Sequence, residues 1–171
     1  MKVAMIIGVM AAVIMFTGCN KTASSAGSAT SPTAQADAIL QPALTAWQQG
    51  DKATAVSSFL TADWSTRPSL VAGSTLSLSK DRFYAFSDAD RRAKSIEMTA
   101  QLQALRNLST AVEEAGRDAA SKGDIAQARK YFTSLKRCGM ALDSPDVMQI
   151  VQLTGKAIVK TADKEMAKIG Q

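Results

Sequence analysis

From Ala36 onward the apolar positions recur in steps of three and four and no stretch alternates with a period of two, so residues 36–171 are predicted to form an all-α domain. Ile39, Ala43 and Trp47 share one face of a first helix ending at Gly50, and Pro42 either kinks that helix or marks its first turn. Asp51 is placed to cap a second helix carrying Ala55, Phe59 and Ala62 on one face. Residues 63–79, with Pro68, Gly73 and several serines, read as an irregular connection, followed by a short helical turn from Asp81 to Phe86. Ser87 and Asp90 have capping-box spacing, and acids at 88 and 90 suit a helix N-terminus. The long helix that follows turns Ile96, Leu102, Leu105, Leu108, Val112, Ala115 and Ala119 inward and runs to Lys122, about 50 Å. Gly123 stops it and Asp124 caps the next, whose inner face is Ile125, Ala128, Phe132 and Leu135 and whose exit is Gly139. Ser144-Pro145 puts proline at the first position of a last helix with an inner stripe of Val147, Ile150, Val151, Thr154, Ile158 and Ala162.

The pattern upstream of this domain is different. Met1-Lys2 is a short positive start, and Val3 to Phe16 carries neither charge nor a strong polar group. As a helix that run rises only ~21 Å, short of the ~30 Å bilayer core, so residues 1–18 read as a signal peptide rather than a stable span. Residues 20–35 are rich in Ser, Thr and Ala, with one charge and no large apolar side chain, and they read as a flexible tether with a reach of about 20–24 Å. The tetrapeptide Phe16-Thr17-Gly18-Cys19 resembles the lipobox of bacterial prolipoproteins, although Phe16 stands where that family more often has leucine. The resemblance implies cleavage between Gly18 and Cys19, acylation of Cys19 as the new N-terminus, and a lipid-anchored place in a bacterial cell envelope. Asn20 after the cysteine implies the periplasmic face of the outer membrane if the cell is diderm. The alternative is an uncleaved anchor with an ordinary thiol, for which the run is short and lacks a stop-transfer flank. On this reading residues 19–35 are the lipidated cysteine and its tether.

Sliding the chain by 73 residues superposes Ala46, Gly50, Asp51, Ala53, Ala55 and Phe59 on Ala119, Gly123, Asp124, Ala126, Ala128 and Phe132. In both copies a helix closes on Gly-Asp, a small residue lets two helices approach, and an aromatic fills the wedge between them. Gly50, Ala55, Phe59, Gly123, Ala128 and Phe132 are therefore the candidate packing residues, and Ala43 and Gly116 occupy the small positions seven before each turn glycine. This pattern resembles the helical hairpin of the tetratricopeptide family over residues 36–68 and 109–141. It implies antiparallel hairpins, a long central helix and a C-terminal capping helix, in an architecture suited to binding other proteins. Pro42 and the 73-residue offset depart from the family pattern, and an irregular bundle using the same packing rule is the alternative.

Composition narrows the chemistry. The chain has no histidine, and Cys19 and Cys138 are its only cysteines, which removes histidine-based triads, histidine metal ligands, disulfide frameworks and four-cysteine zinc sites. No carboxylate pair or phosphate loop suggests catalysis, so neither enzyme activity, metal nor cofactor is expected. The net charge of +5 is mild and interspersed with acids, which argues against a nucleic-acid binder. Lys156, Lys160, Lys164 and Lys168 recur every four residues, either as a solvated face or as a contact with an anionic surface. The aromatics Phe59, Trp64, Phe83, Tyr84 and Phe86 read as core anchors of the connection or as a ligand cleft, and Cys138 as a buried, inert thiol. The expected function is a membrane-anchored, non-catalytic protein-interaction scaffold in the envelope. The alternative is a structural lipoprotein that self-associates through its long helix into a homo-oligomer.

Overall fold

A computed structural model describes residues 39–64 and 74–170. Gly18, Cys19 and the 20–35 tether lie outside the described residues, as does the core of the 63–79 connection. The described residues form six α-helices: α1 (Gln41–Gln48), α2 (Lys52–Thr61), α3 (Lys80–Tyr84), α4 (Asp88–Ser121), α5 (Ile125–Leu142) and α6 (Gln149–Ile169). A single 3-10 turn spans Thr75–Ser77, and no strand occurs among the described residues. The domain is all-α, and none of its described helices is long and apolar enough to cross a membrane.

Where a side chain caps the helix, its start follows the sequence closely because caps are local. Asp51, Ser79, Ser87 and Asp124 each accept a hydrogen bond from the amide three residues on, satisfying a donor the helix cannot. Pro42 lies in the first turn of α1, where its missing amide costs no hydrogen bond, so α1 starts there and is not kinked. Between α3 and α4 the chain turns a corner latched by Arg91, whose guanidinium donates to the carbonyls of Tyr84 (3.0 Å) and Phe86 (2.8 Å).

The 34-residue α4 is the spine, about 51 Å long. The α1/α2 pair packs on it, α5 returns antiparallel along its C-terminal half, and α6 packs chiefly along α5. On the N-terminal half of α4, Gln101 accepts from the hydroxyls of Ser74 (2.7 Å) and Thr75 (3.0 Å), pinning the 3-10 turn over Met98 and Leu102. The core is one cluster joining Leu44, Phe59, Leu105, Val112, Phe132 and Val151.

The structure corrects several expected positions. Ile96 is 72% exposed and Met98 is buried in its place, because 96 lies about 200° around the helix from 98 and so faces away from the 98, 102, 105, 112 stripe. Ile125 sits in the first turn of α5, ahead of the packed face, and is exposed. Gly139 is not a helix exit, since α5 continues to Leu142. Nor does Ser144-Pro145 start α6: Ser79 pairs with Val147 in an isolated bridge and Lys80 donates its amide to the Asp146 carbonyl (3.1 Å). That pairing and a Ser144–Val147 turn occupy 144–148, so the helix starts only at Gln149, and Ile150 in its first turn is half-exposed.

Phe59 and Phe83 are core residues, with the Trp64 ring packed on Phe59 at 5.2 Å between centroids, whereas Tyr84 is exposed. Cys138 is buried, and burial pushes its thiol well above the usual range, leaving it unreactive.

Candidate functional site

The sequence repeat is reproduced bond for bond at the two Gly-Asp turns. Gly50 and Gly123 have φ of +81° and +80°, a conformation that other residues adopt only with strain. Asp51 donates its amide to the Ala46 carbonyl (3.0 Å) and Gly50 to that of Trp47 (3.0 Å). Seventy-three residues later Asp124 donates to Ala119 (2.9 Å) and Gly123 to Ala120 (3.0 Å), the same paired closure of a helix end. Asp51 and Asp124 then accept from the amides of Thr54 (3.0 Å) and Gln127 (2.9 Å), and the Thr54 contact holds the Asp51 carboxyl below its ordinary value.

Ala55, Phe59, Ala128 and Phe132 are all fully buried beneath these turns. Gly116 acquires a reason: a Cβ there would lie 2.6 Å from Phe132 Cε1 and 2.8 Å from Cζ, so the ring of α5 occupies the side-chain space of α4. These residues build the hairpins and carry no reactive group.

Lys156, Lys160, Lys164 and Lys168 are all exposed, along one winding side of α6. A four-residue step advances 400°, so the row winds by about 120° from first to last. Lys156 lies 3.7 Å from Asp143 at the end of α5, whereas Lys168 donates to Glu165 (2.7 Å) on the side facing α4. Between them Asp163 takes Lys136 of α5 at 2.8 Å. A denser cationic surface lies on α5 near the end of α2, where Arg129, Lys130 and Arg137 line a shallow cleft with Leu60. Among the described residues none of those three has an acidic partner.

Glu165 is the one buried charge among the described residues. Its side chain is only 4% exposed, and it accepts from Arg117 of α4 (2.8 Å) and from Lys168; Arg117 also pairs with Glu113. The Arg117 hydrogen bond, opposed by burial and assisted by Lys168, holds the carboxyl at about 2 against an ordinary 4.5. A depressed folded-state pKa stabilises the fold fully above the unfolded value of 4.5 and ceases to do so as pH falls through about 2. Glu165→Gln is therefore expected to lower stability at neutral pH, on the order of 2 kcal/mol, discounted because Arg117 and Lys168 are half-exposed and screened. The gap between wild type and variant should close as pH is lowered from about 5 to 2. Denaturant titrations at several pH values read this directly, and parallel acid profiles would refute it.

A cleft of about 360 Å³ lies between α4 and α6, at the small end of the roughly 300–1,000 Å³ typical of ligand sites. Leu135 of α5 and Ile158 of α6 form its floor, and Ile150, Leu153 (56% exposed) and Ala157 form its α6 wall. At one end Arg106 of α4 donates to Thr154 Oγ1 (3.1 Å), and among the described residues no carboxylate pairs with it. One turn on, Ser109 is 8% exposed and its buried Oγ has no hydrogen-bond partner. Its neighbours behave differently. Thr110 donates to the Arg106 carbonyl (3.0 Å) and Thr154 to that of Ile150 (2.9 Å), the usual use of a helical hydroxyl.

Sequence periodicity alone does not single out Arg106, Ser109 or Leu153. Two signals were available: a serine on the buried stripe of α4 between Leu105 and Val112, and an apolar arc on α6 (Ile150, Val151, Leu153, Ala157, Ile158) too broad for one partner helix. No family model matches the chain, and neither a curated protein nor a solved structure matches it.

Proposed function

We propose that this chain is a lipid-anchored bacterial envelope protein whose helical domain serves as a non-catalytic scaffold for another protein. The observation that carries the reading is the pair of Gly-Asp hairpins, whose caps, glycine φ angles and turn hydrogen bonds coincide at an offset of 73 residues. A repeated hairpin with a small-residue and aromatic wedge is how tetratricopeptide-like arrays build recognition surfaces, and α6 would then close the array. The lipobox-like Phe16-Thr17-Gly18-Cys19 and the 20–35 tether supply the address and spacer. Arg129, Lys130 and Arg137 favour a partner with an acidic contact face.

In-cell photo-crosslinking with mass spectrometry tests the reading. A protein partner crosslinked within residues 36–171 is expected, retained on deletion of 20–35 and in Lys164→Ala, but lost in Phe59→Ala or Phe132→Ala. Palmitate should label the wild type and not Cys19→Ala. Recovery of lipid alone, or of contacts only within 20–35, would defeat the proposal.

A further inference from the structure

We infer that the cleft between α4 and α6 binds a medium-chain aliphatic carboxylate, its head on the Arg106 guanidinium and the Ser109 hydroxyl and its alkyl chain over Leu135, Ala157 and Ile158. This goes beyond the scaffold reading and does not depend on it. Native proteins rarely leave a buried hydroxyl without a partner. Ser109 does so inside a cleft, although the back-bond to its own helix that Thr110 and Thr154 make is the standard alternative. Ser109 lines the cleft, and rotation about its Cα–Cβ bond would turn the shielded hydroxyl toward a ligand oxygen there.

The charge at the site fixes the sign of that ligand. Arg106 presents five N–H donors and uses one described side-chain contact, to Thr154. A carboxylate accepts from guanidinium and hydroxyl together, and charge-assisted bonds of this kind are the strong ones. The opposite end of the cleft offers no unmatched charge: Glu113 is held by Arg117, and Glu165 by Arg117 and Lys168. A cationic ligand therefore has no unpaired carboxylate to meet.

Shape fixes the rest. From Arg106 to Glu113 the α4 wall rises about 10 Å, and the cleft holds about 360 Å³. That accommodates a single chain and is too small for a diacyl lipid. Arg106–Thr154 and Arg117–Glu165 put α4 and α6 in step, so a chain running from Arg106 toward Glu113 lies along Ala157, Ile158 and Thr161, with Leu153 beside its head.

The test uses the full chain in phosphatidylcholine vesicles with decanoate carrying a diazirine near its chain end, followed by peptide mapping. Label is expected on peptides containing 106–113 and 150–161 and to be displaced by plain decanoate, while 1-decanol displaces it at least tenfold less well. Arg106→Gln should reduce labelling about tenfold, and Ser109→Ala, which removes a hydroxyl without a partner and so keeps the fold, several-fold. Ala157→Trp should block the cleft, with circular dichroism reporting that each variant remains helical. Label distributed over exposed apolar sites such as Ile96 and Met140, equal displacement by decanol and decanoate, or labelling unchanged in Arg106→Gln would overturn the inference.

Discussion

Phe132→Ala is expected to destabilise the domain by about 3–5 kcal/mol, a large part of the ~5–15 kcal/mol that holds a typical domain folded. Phe132 is fully buried, and its ring is the element that joins α4 to α5 beneath the Gly123-Asp124 turn. The ring also determines what Gly116 can become. In the wild type, alanine at 116 gains about 1 kcal/mol of helix propensity but sets a methyl against Phe132 ring carbons at 2.6 and 2.8 Å, so the ring must shift to admit it. Overpacking of this kind costs about 1–3 kcal/mol, so Gly116→Ala should be neutral to destabilising. With Phe132→Ala already present the clash is gone, and the same substitution should recover up to about 1 kcal/mol, tempered by the Tyr131 Cβ at 3.1 Å. A double-mutant cycle by urea denaturation measures the reversal, and Lys164→Ala should remain within about 0.5 kcal/mol of wild type. Additive effects of Phe132→Ala and Gly116→Ala would mean that the ring does not occupy the space of residue 116.

What was legible in the sequence was what neighbouring residues decide. Asp51, Ser87 and Asp124 cap their own helices through an amide three residues away, so a short window of sequence contains the whole interaction. Gly50 and Gly123 were legible for the same reason, because an Asp cap follows each. Gly139 shows the limit. The same residue type stands there to let another helix approach, and nothing within a few residues records which helix that is. Ser144-Pro145 is a good local start signal overridden by a distant partner, Ser79. Periodicity finds a helix's inner face but not how far its partner extends, so it turns Ile125 and Ile150, both near helix starts, inward although both are exposed. The cleft between α4 and α6 was illegible because its two walls are about 48 residues apart, as in the Arg106–Thr154 contact, and only the fold brings them together.

Gly155→Ala is expected to destabilise by about 2 kcal/mol although alanine is the better helix former. Gly139 of α5 and Gly155 of α6 face each other where the helices are closest: a Cβ on Gly155 would lie 2.5 Å from the Gly139 carbonyl oxygen, and one on Gly139 would lie 2.6 Å from that of Gly155. Both obstacles are backbone, so no rotamer change relieves them, and the overpacking cost falls near the upper end of its ~1–3 kcal/mol range, against about 1 kcal/mol returned as propensity. The only relaxation is for α6 to move away from α5. Once it has moved, the second methyl meets less resistance, so Gly139→Ala/Gly155→Ala should cost clearly less than the sum of the single substitutions. Gly123 gives the contrast, since its space is open and only its φ of +80° restricts it; Asn, which tolerates that region, should be accepted at 123 and rejected at 155. Leu153, Thr154 and Ala157 ride on the same helix as Gly155, so a displaced α6 should also alter labelling of the α4–α6 cleft while leaving the Gly50-Asp51 hairpin intact. If Gly155→Ala instead raises the denaturation midpoint, the two helices do not approach through their glycines.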